Sequence, residues 1–231
     1  MNKISKKAEA RRNEIIETAQ NLFKLQGYEK TSVNQIIKQL DISKGAFYHH
    51  FASKQALLDE IIERFIKATI DQLQPILNND KLNPIEKINQ VFSASIAFKT
   101  DNISTIFTIL ETYYDDDNLF LRKKFQMQSQ KVTLPVLTNL LEEAKQAGYL
   151  DFYDSEATSE IIILLGFSIS DKLAEIIKDL SDNPNEFNKL ENLYKAYQEA
   201  LERILGAEKG ILKPLDFSIL DKIKEHFSSK E

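Results

Sequence analysis

One short run gathers the side chains able to do chemistry: Lys44-Gly45-Ala46-Phe47-Tyr48-His49-His50-Phe51-Ala52-Ser53-Lys54. Adjacent histidines point to different sides of a helix. No cysteine or nearby carboxylate completes a metal site around them. Hydrogen bonding to nucleic acid suits the set better. Gly45 has no side chain to hold the backbone away from base edges. Tyr48 and His49, on the exposed side of a helix, reach bases or phosphates, and His50 and Lys54 fall where a phosphate of the flanking backbone would lie. Tyr48 and Phe51 also suit the core of a small three-helix domain, and Phe47 suits a core more than a contact.

Such residues need a rigid mount, and the preceding residues supply one. Val33, Ile36, Ile37 and Leu40 fall at helical spacing and make one face of a short helix apolar. Ser32, with Gln35 three residues on, forms an S-x-x-Q capping box at its start. Asp41-Ile42-Ser43 then interrupts the run, and Ser43 caps a second helix from Lys44 to about His50. Ile42 and Phe47 plug the angle between the two. Two helices joined by a tight polar turn, the second short and carrying small, aromatic and basic residues, describe a helix-turn-helix whose second helix enters a DNA major groove.

Around this core the chain reads Ile15-Ile16…Ala19…Leu22-Phe23…Gly27-Tyr28, then Thr31-Ser32-Val33…Ile36. It continues Gly45-Ala46-Phe47-Tyr48-His49-His50-Phe51, Ser53-Lys54 and Leu57-Leu58. On these residues the segment from about Ala10 to Leu58 resembles the N-terminal domain of TetR-family transcriptional regulators. The string G-x-[FL]-Y-x-[HY]-F-x-[SN]-K is its specific part. Leu40-Asp41 departs from the pattern, standing where the family usually has a small residue followed by Gly. The resemblance implies base-side contacts from Lys44, Gly45, Tyr48 and His49. It implies backbone contacts from Ser32, Ala46, Tyr48, His50 and Lys54, some through main-chain N–H groups. It covers roughly the first quarter of the chain.

Charge is segregated. The net charge is −5. Residues 1–54 hold ten Lys/Arg against five Asp/Glu; by subtraction, residues 55–231 hold twenty against thirty, a balance of −10. A basic head on an acidic body attracts phosphate at one end only. With no cysteine, disulfides and thiolate metal sites are excluded. The start, MNKISKKAEARRNE, has no apolar run for a signal peptide. The longest apolar run, 161–167, falls far short of the roughly twenty residues that span a bilayer. A cytoplasmic protein is expected. No G-x-S-x-G, Gly-rich phosphate loop or H-E-x-x-H occurs, so the chain does not read as an enzyme, and no cofactor or metal is expected.

Elsewhere the pattern is helix after helix, with no sustained period-two alternation: an all-α fold. A first helix is expected at about 6–25. Residues 1–52 form the DNA-binding domain, and a helix at about 53–74 joins it to a larger effector-binding and dimerisation domain, 53–231. Asn83-Pro84 and Asn183-Pro184 announce helices by the same capping device. Between them lie helices at about 84–99, 101–114, 117–147 and 155–180. Pro135 should kink or split the third, and Gly148 suits its C-terminal end. Residues 161–167 are apolar all round, so that helix is covered on more than one side. Its own core could do this; the resemblance implies instead a homodimer through the helices at about 155–180 and 184–206.

The resemblance also implies a small organic effector sensed in the larger domain. Phe92, Phe98, Phe107, Tyr113, Tyr114, Phe120, Phe125 and Met127 suit an aromatic-rich helical cavity. The set chosen to line a pocket is Phe92, Phe107, Glu111, Tyr114, Phe125 and Met127, with Glu111 facing either a cationic ligand or water. An amphipathic tail within 211–231 could cover the core, extend the dimer or cross the pocket entrance. The reading is a repressor that binds a palindromic operator as a homodimer and is released by its effector. The alternative is an architectural or protein-interaction member of the same fold without small-molecule input.

Overall fold

The computed structural model describes residues 3–97, 118–180 and 187–214. Among them run eight helices and no strand, as the periodicity requires: α1 (Lys3–Gln26), α2 (Val33–Leu40), α3 (Lys44–His50), α4 (Lys54–Leu77), α5 (Pro84–Ala97), α6 (Leu119–Gln146), α7 (Ser155–Asp179) and α8 (Phe187–Ile204). The helix expected at 101–114, the Asn183-Pro184 cap and residues 215–231 of the tail lie outside the described residues. The described residues within Met1–Ala68 and Thr112–Gln128 form one compact unit. Those within Thr69–Glu111 and Ser129–Glu231 form the second. The first unit therefore takes in more chain than residues 1–52.

In the first unit one apolar stripe of α1 meets the inner faces of α2, α3 and α4. Ile15, Ala19, Ile36, Phe47, Leu57 and Leu58 are all buried, at roughly 1.5–3 kcal/mol for each large side chain removed from water. The start of α6 joins this unit. Asn118 is buried and its Oδ1 accepts from the Tyr28 N–H at 2.8 Å. Phe120 stacks on Tyr28 with ring centres 5.9 Å apart, and Lys124 pairs with Asp59.

In the second unit Ile85, Ile88, Leu137, Leu140, Leu141, Ile162 and Leu201 share one core. Asn83 and Glu86 cap α5 reciprocally, each main-chain N–H donating to the other's side chain at 2.8 and 3.0 Å. Gly148 ends α6 at φ +79°, with the Tyr149 N–H reaching back to Ala144 at 3.0 Å. Pro135 does not split α6. It lies inside one helix of 28 residues. Pro135 and Lys131 are both exposed, so the carbonyl that loses its partner lies on the solvent side of the helix. Within a single chain, Ile162 and Ile163 of α7 are buried, while Ile161 and Leu164 are 53% and 52% exposed.

Candidate nucleic-acid interface

Local capping mounts the two short helices. Ser32 Oγ accepts from the Gln35 N–H at 3.2 Å while Gln35 Oε1 accepts from the Ser32 N–H at 2.7 Å, completing the expected box. Ser43 Oγ accepts from the Ala46 N–H at 3.1 Å and starts α3. Between them Asp41 takes the left-handed conformation, φ +49°, with the Ile42 N–H bonded to Ile37 O at 3.2 Å. That is the position usually given to Gly, because a side chain there crowds the following carbonyl. Asp tolerates the strain better than most residues, so the atypical Leu40-Asp41 still makes the turn.

Burial separates the packed side of α3 from its exposed side. Phe47 and Phe51 are 0% and 2% exposed, so both are core, whereas Tyr48 is 45% exposed. Exposed Lys44, Gly45, Tyr48 and His49 and half-buried Ala46 and His50 leave α3 as a helix pinned from behind with a polar front. Lys44 Nζ lies 6.0 Å from the centre of the Tyr48 ring, and the two imidazoles meet edge to face at 5.2 Å. At Gly45 an added Cβ would meet only Ser43 Oγ, at 3.9 Å. Internal packing therefore does not require glycine. Partial burial, then the charges of His49, Arg12 and Arg11, push the His50 imidazole below its ordinary pKa.

Lys54 does something the sequence did not suggest. Its ammonium donates to the Tyr28 carbonyl at 2.8 Å and sits 4.0 Å from the centre of the Tyr28 ring. Partial burial lowers its pKa. It holds the turn between α1 and α2, which positions Ser32.

Sequence reading missed Arg12. Its Nη1 donates to the His50 carbonyl at 2.8 Å, and its Nε and Nη2 both donate to Glu60 on α4. The signal was present: Arg12 extends the stripe of Ile15, Ile16 and Ala19 by one turn, and a cation on a core-facing stripe needs a partner.

Of the residues chosen for a pocket, Phe92, Phe125 and Met127 are described. Phe92 packs against the core of the second unit. Phe125, in the first unit, meets Phe65 edge to face at 5.6 Å, and Met127 is 54% exposed. Phe107, Glu111 and Tyr114 lie outside the described residues, as do Phe98 and Tyr113. Among the described residues no group of three or more His, Asp or Glu could hold a metal ion. No described helix is long and apolar enough to cross a membrane.

Comparison with known proteins agrees with this geometry. The family described as bacterial regulatory proteins, tetR family, matches residues 15–61, from the buried stripe of α1 to the first turns of α4. The chain is 32% identical over 95 residues to the transcriptional repressor KstR2 of Mycobacterium tuberculosis, covering 41% of this chain and 47% of that one. It thus spans about half the length of that relative. It is 28% identical over 227 residues to the uncharacterised helix-turn-helix regulator YuxN of Bacillus subtilis, covering 93% of this chain and 77% of the other. Its fold is similar to that of a TetR-family regulator from Pectobacterium atrosepticum, with a TM-score of 0.63 at 20% identity, over 89% of this chain and 98% of that one.

Proposed function

The chain belongs to the TetR family of bacterial transcriptional regulators, and from that premise we propose that it is a repressor binding an inverted-repeat operator as a homodimer. The observation that carries this is α3 itself: Phe47 and Phe51 lock its back into the head, leaving Lys44, Gly45, Tyr48 and His49 facing outward. A helix so held can enter a major groove without ordering new side chains first. Ser32, Ala46 and His50 flank it and take backbone phosphates. Lys54 contributes by fixing the turn before Ser32.

Ile161 and Leu164, each half-exposed and one turn apart on α7, support a second copy packing there. Two heads on a two-fold axis read inverted half-sites. A small organic molecule in the larger domain would release the operator by preferring the non-binding geometry, typically by ~1–3 kcal/mol. Of the described residues proposed for that role, Phe92 lies in the second unit, partly buried against its core. The protein works on DNA in the cytoplasm and carries out no catalytic step.

Selection of bound duplexes from a random pool tests the reading. An enriched inverted repeat, bound with steep salt dependence, is the expected result. Salt-dependent binding without an enriched sequence would favour the architectural alternative, and no binding at low salt would remove α3 as a reading helix.

A further inference from the structure

Arg12 joins three elements through one planar group. On α1, its guanidinium donates through Nε, at 3.0 Å, and through Nη2 to both carboxylate oxygens of Glu60 on α4. Its Nη1 donates to the carbonyl of His50, the last residue of α3, at 2.8 Å, and its central carbon lies 4.4 Å from the centre of the Phe51 ring. Glu60 is held in turn by Arg64, whose Nη2 is 2.8 Å away and whose Nη1 donates to Asn13 on α1 at 2.6 Å. A guanidinium is a rigid fork. Once Glu60 grips two of its nitrogens, the third can aim in one direction only. That direction meets a carbonyl which, at the end of a helix, has no partner within it.

We infer that Arg12 is a positioning residue for operator recognition: the Glu60–Arg12–His50 chain sets the direction of the C-terminal end of α3. The inference rests on reading α3 as the helix that enters the groove. Helix α3 has seven residues; Ser43 caps its start, and at its other end the Phe51 N–H bonds to Phe47 O while the His50 carbonyl is met by Arg12. Its other end carries Tyr48, His49 and His50, so a small tilt there moves the side chains nearest the bases.

Two substitutions in the full-length protein separate positioning from charge. Affinity is measured by fluorescence anisotropy for a duplex chosen by selection and for a scrambled one, over a range of salt, with folding checked by thermal melting. Glu60→Gln removes an acid, so attraction of charge alone would tighten binding to both duplexes. Positioning demands the opposite sign: about a tenfold loss on the selected duplex, the size of one good base contact, and none on the scrambled one. Arg12→Lys keeps the charge and loses the fork, and the same selective loss with an unchanged salt slope is expected. Equal or tighter binding of the selected duplex by folded Glu60→Gln would overturn the inference. So would an equal loss on both duplexes by Arg12→Lys, the mark of a contact that carries no sequence information. If Glu60→Gln does not fold, Arg12→Lys decides alone. A wild-type protein with no duplex preference would overturn the reading of α3 itself, and this inference with it.

Discussion

Replacing Gly45 by alanine should push stability and DNA affinity in opposite directions. Within the protein the new methyl meets only Ser43 Oγ at 3.9 Å, an ordinary van der Waals distance, and Gly45 does not need a positive φ. Alanine is the better helix former by about 0.5–1 kcal/mol. For a chain of this length that corresponds to a rise of about 1–4 °C in melting temperature. Against DNA the sign reverses. A Cα–Cβ bond of about 1.5 Å holds the backbone off by that much where Cα itself touches the groove wall. A hydrogen bond of about 2.9 Å stretched by such an amount is no longer one. Each hydrogen bond to a base edge broken in this way costs roughly 1–3 kcal/mol. Thermal melting and anisotropy titration against the selected duplex measure both effects on one preparation. Unchanged or tighter binding by the stabilised variant would refute the claim that glycine serves close approach.

Other substitutions test the remaining parts of the head. Tyr48→Ala should weaken specific binding by roughly 1–3 kcal/mol with little change in melting temperature, because the ring is 45% exposed; a large loss of stability would return Tyr48 to the core. Asp41→Gly should raise stability by about 0.5–1 kcal/mol, since the turn already has a positive φ; denaturant titration measures it, and destabilisation would show that the Asp side chain supports the turn. His50 links binding to pH. Its folded pKa is lowered, so the free protein loses stability as pH falls through the ordinary histidine range, while a phosphate beside the ring draws the proton on. Operator affinity should therefore rise as pH falls, by up to about tenfold per pH unit for one linked proton. Calorimetry in buffers of different ionisation enthalpy counts that proton, and an unchanged count in His50→Gln would move the linkage elsewhere.

Much of the head, and the start of α5 in the second unit, was legible in sequence because the rules there are local. Ser32 with Gln35, Ser43 with Ala46, and Asn83 with Glu86 act across three residues, so residue type and spacing specify the bond before anything folds. The apolar stripes of α1, α2 and α4 likewise declare their faces by period, which made the all-helical fold and the short outward-facing α3 readable. Tertiary structure decided what depends on partners distant in the chain. Arg12 finds His50 and Glu60 across 38 and 48 residues, and Tyr28 finds Asn118 across 90. No spacing rule reaches that far, since many folds would place those groups apart. Lys54 shows the same limit: its type and place suited a phosphate, and only the packed α1–α2 turn shows that its ammonium also meets two carbonyls and a ring. The apolar run at 161–167 stated a demand for cover, while packing alone determined that Ile162 and Ile163 are covered and Ile161 and Leu164 stay open.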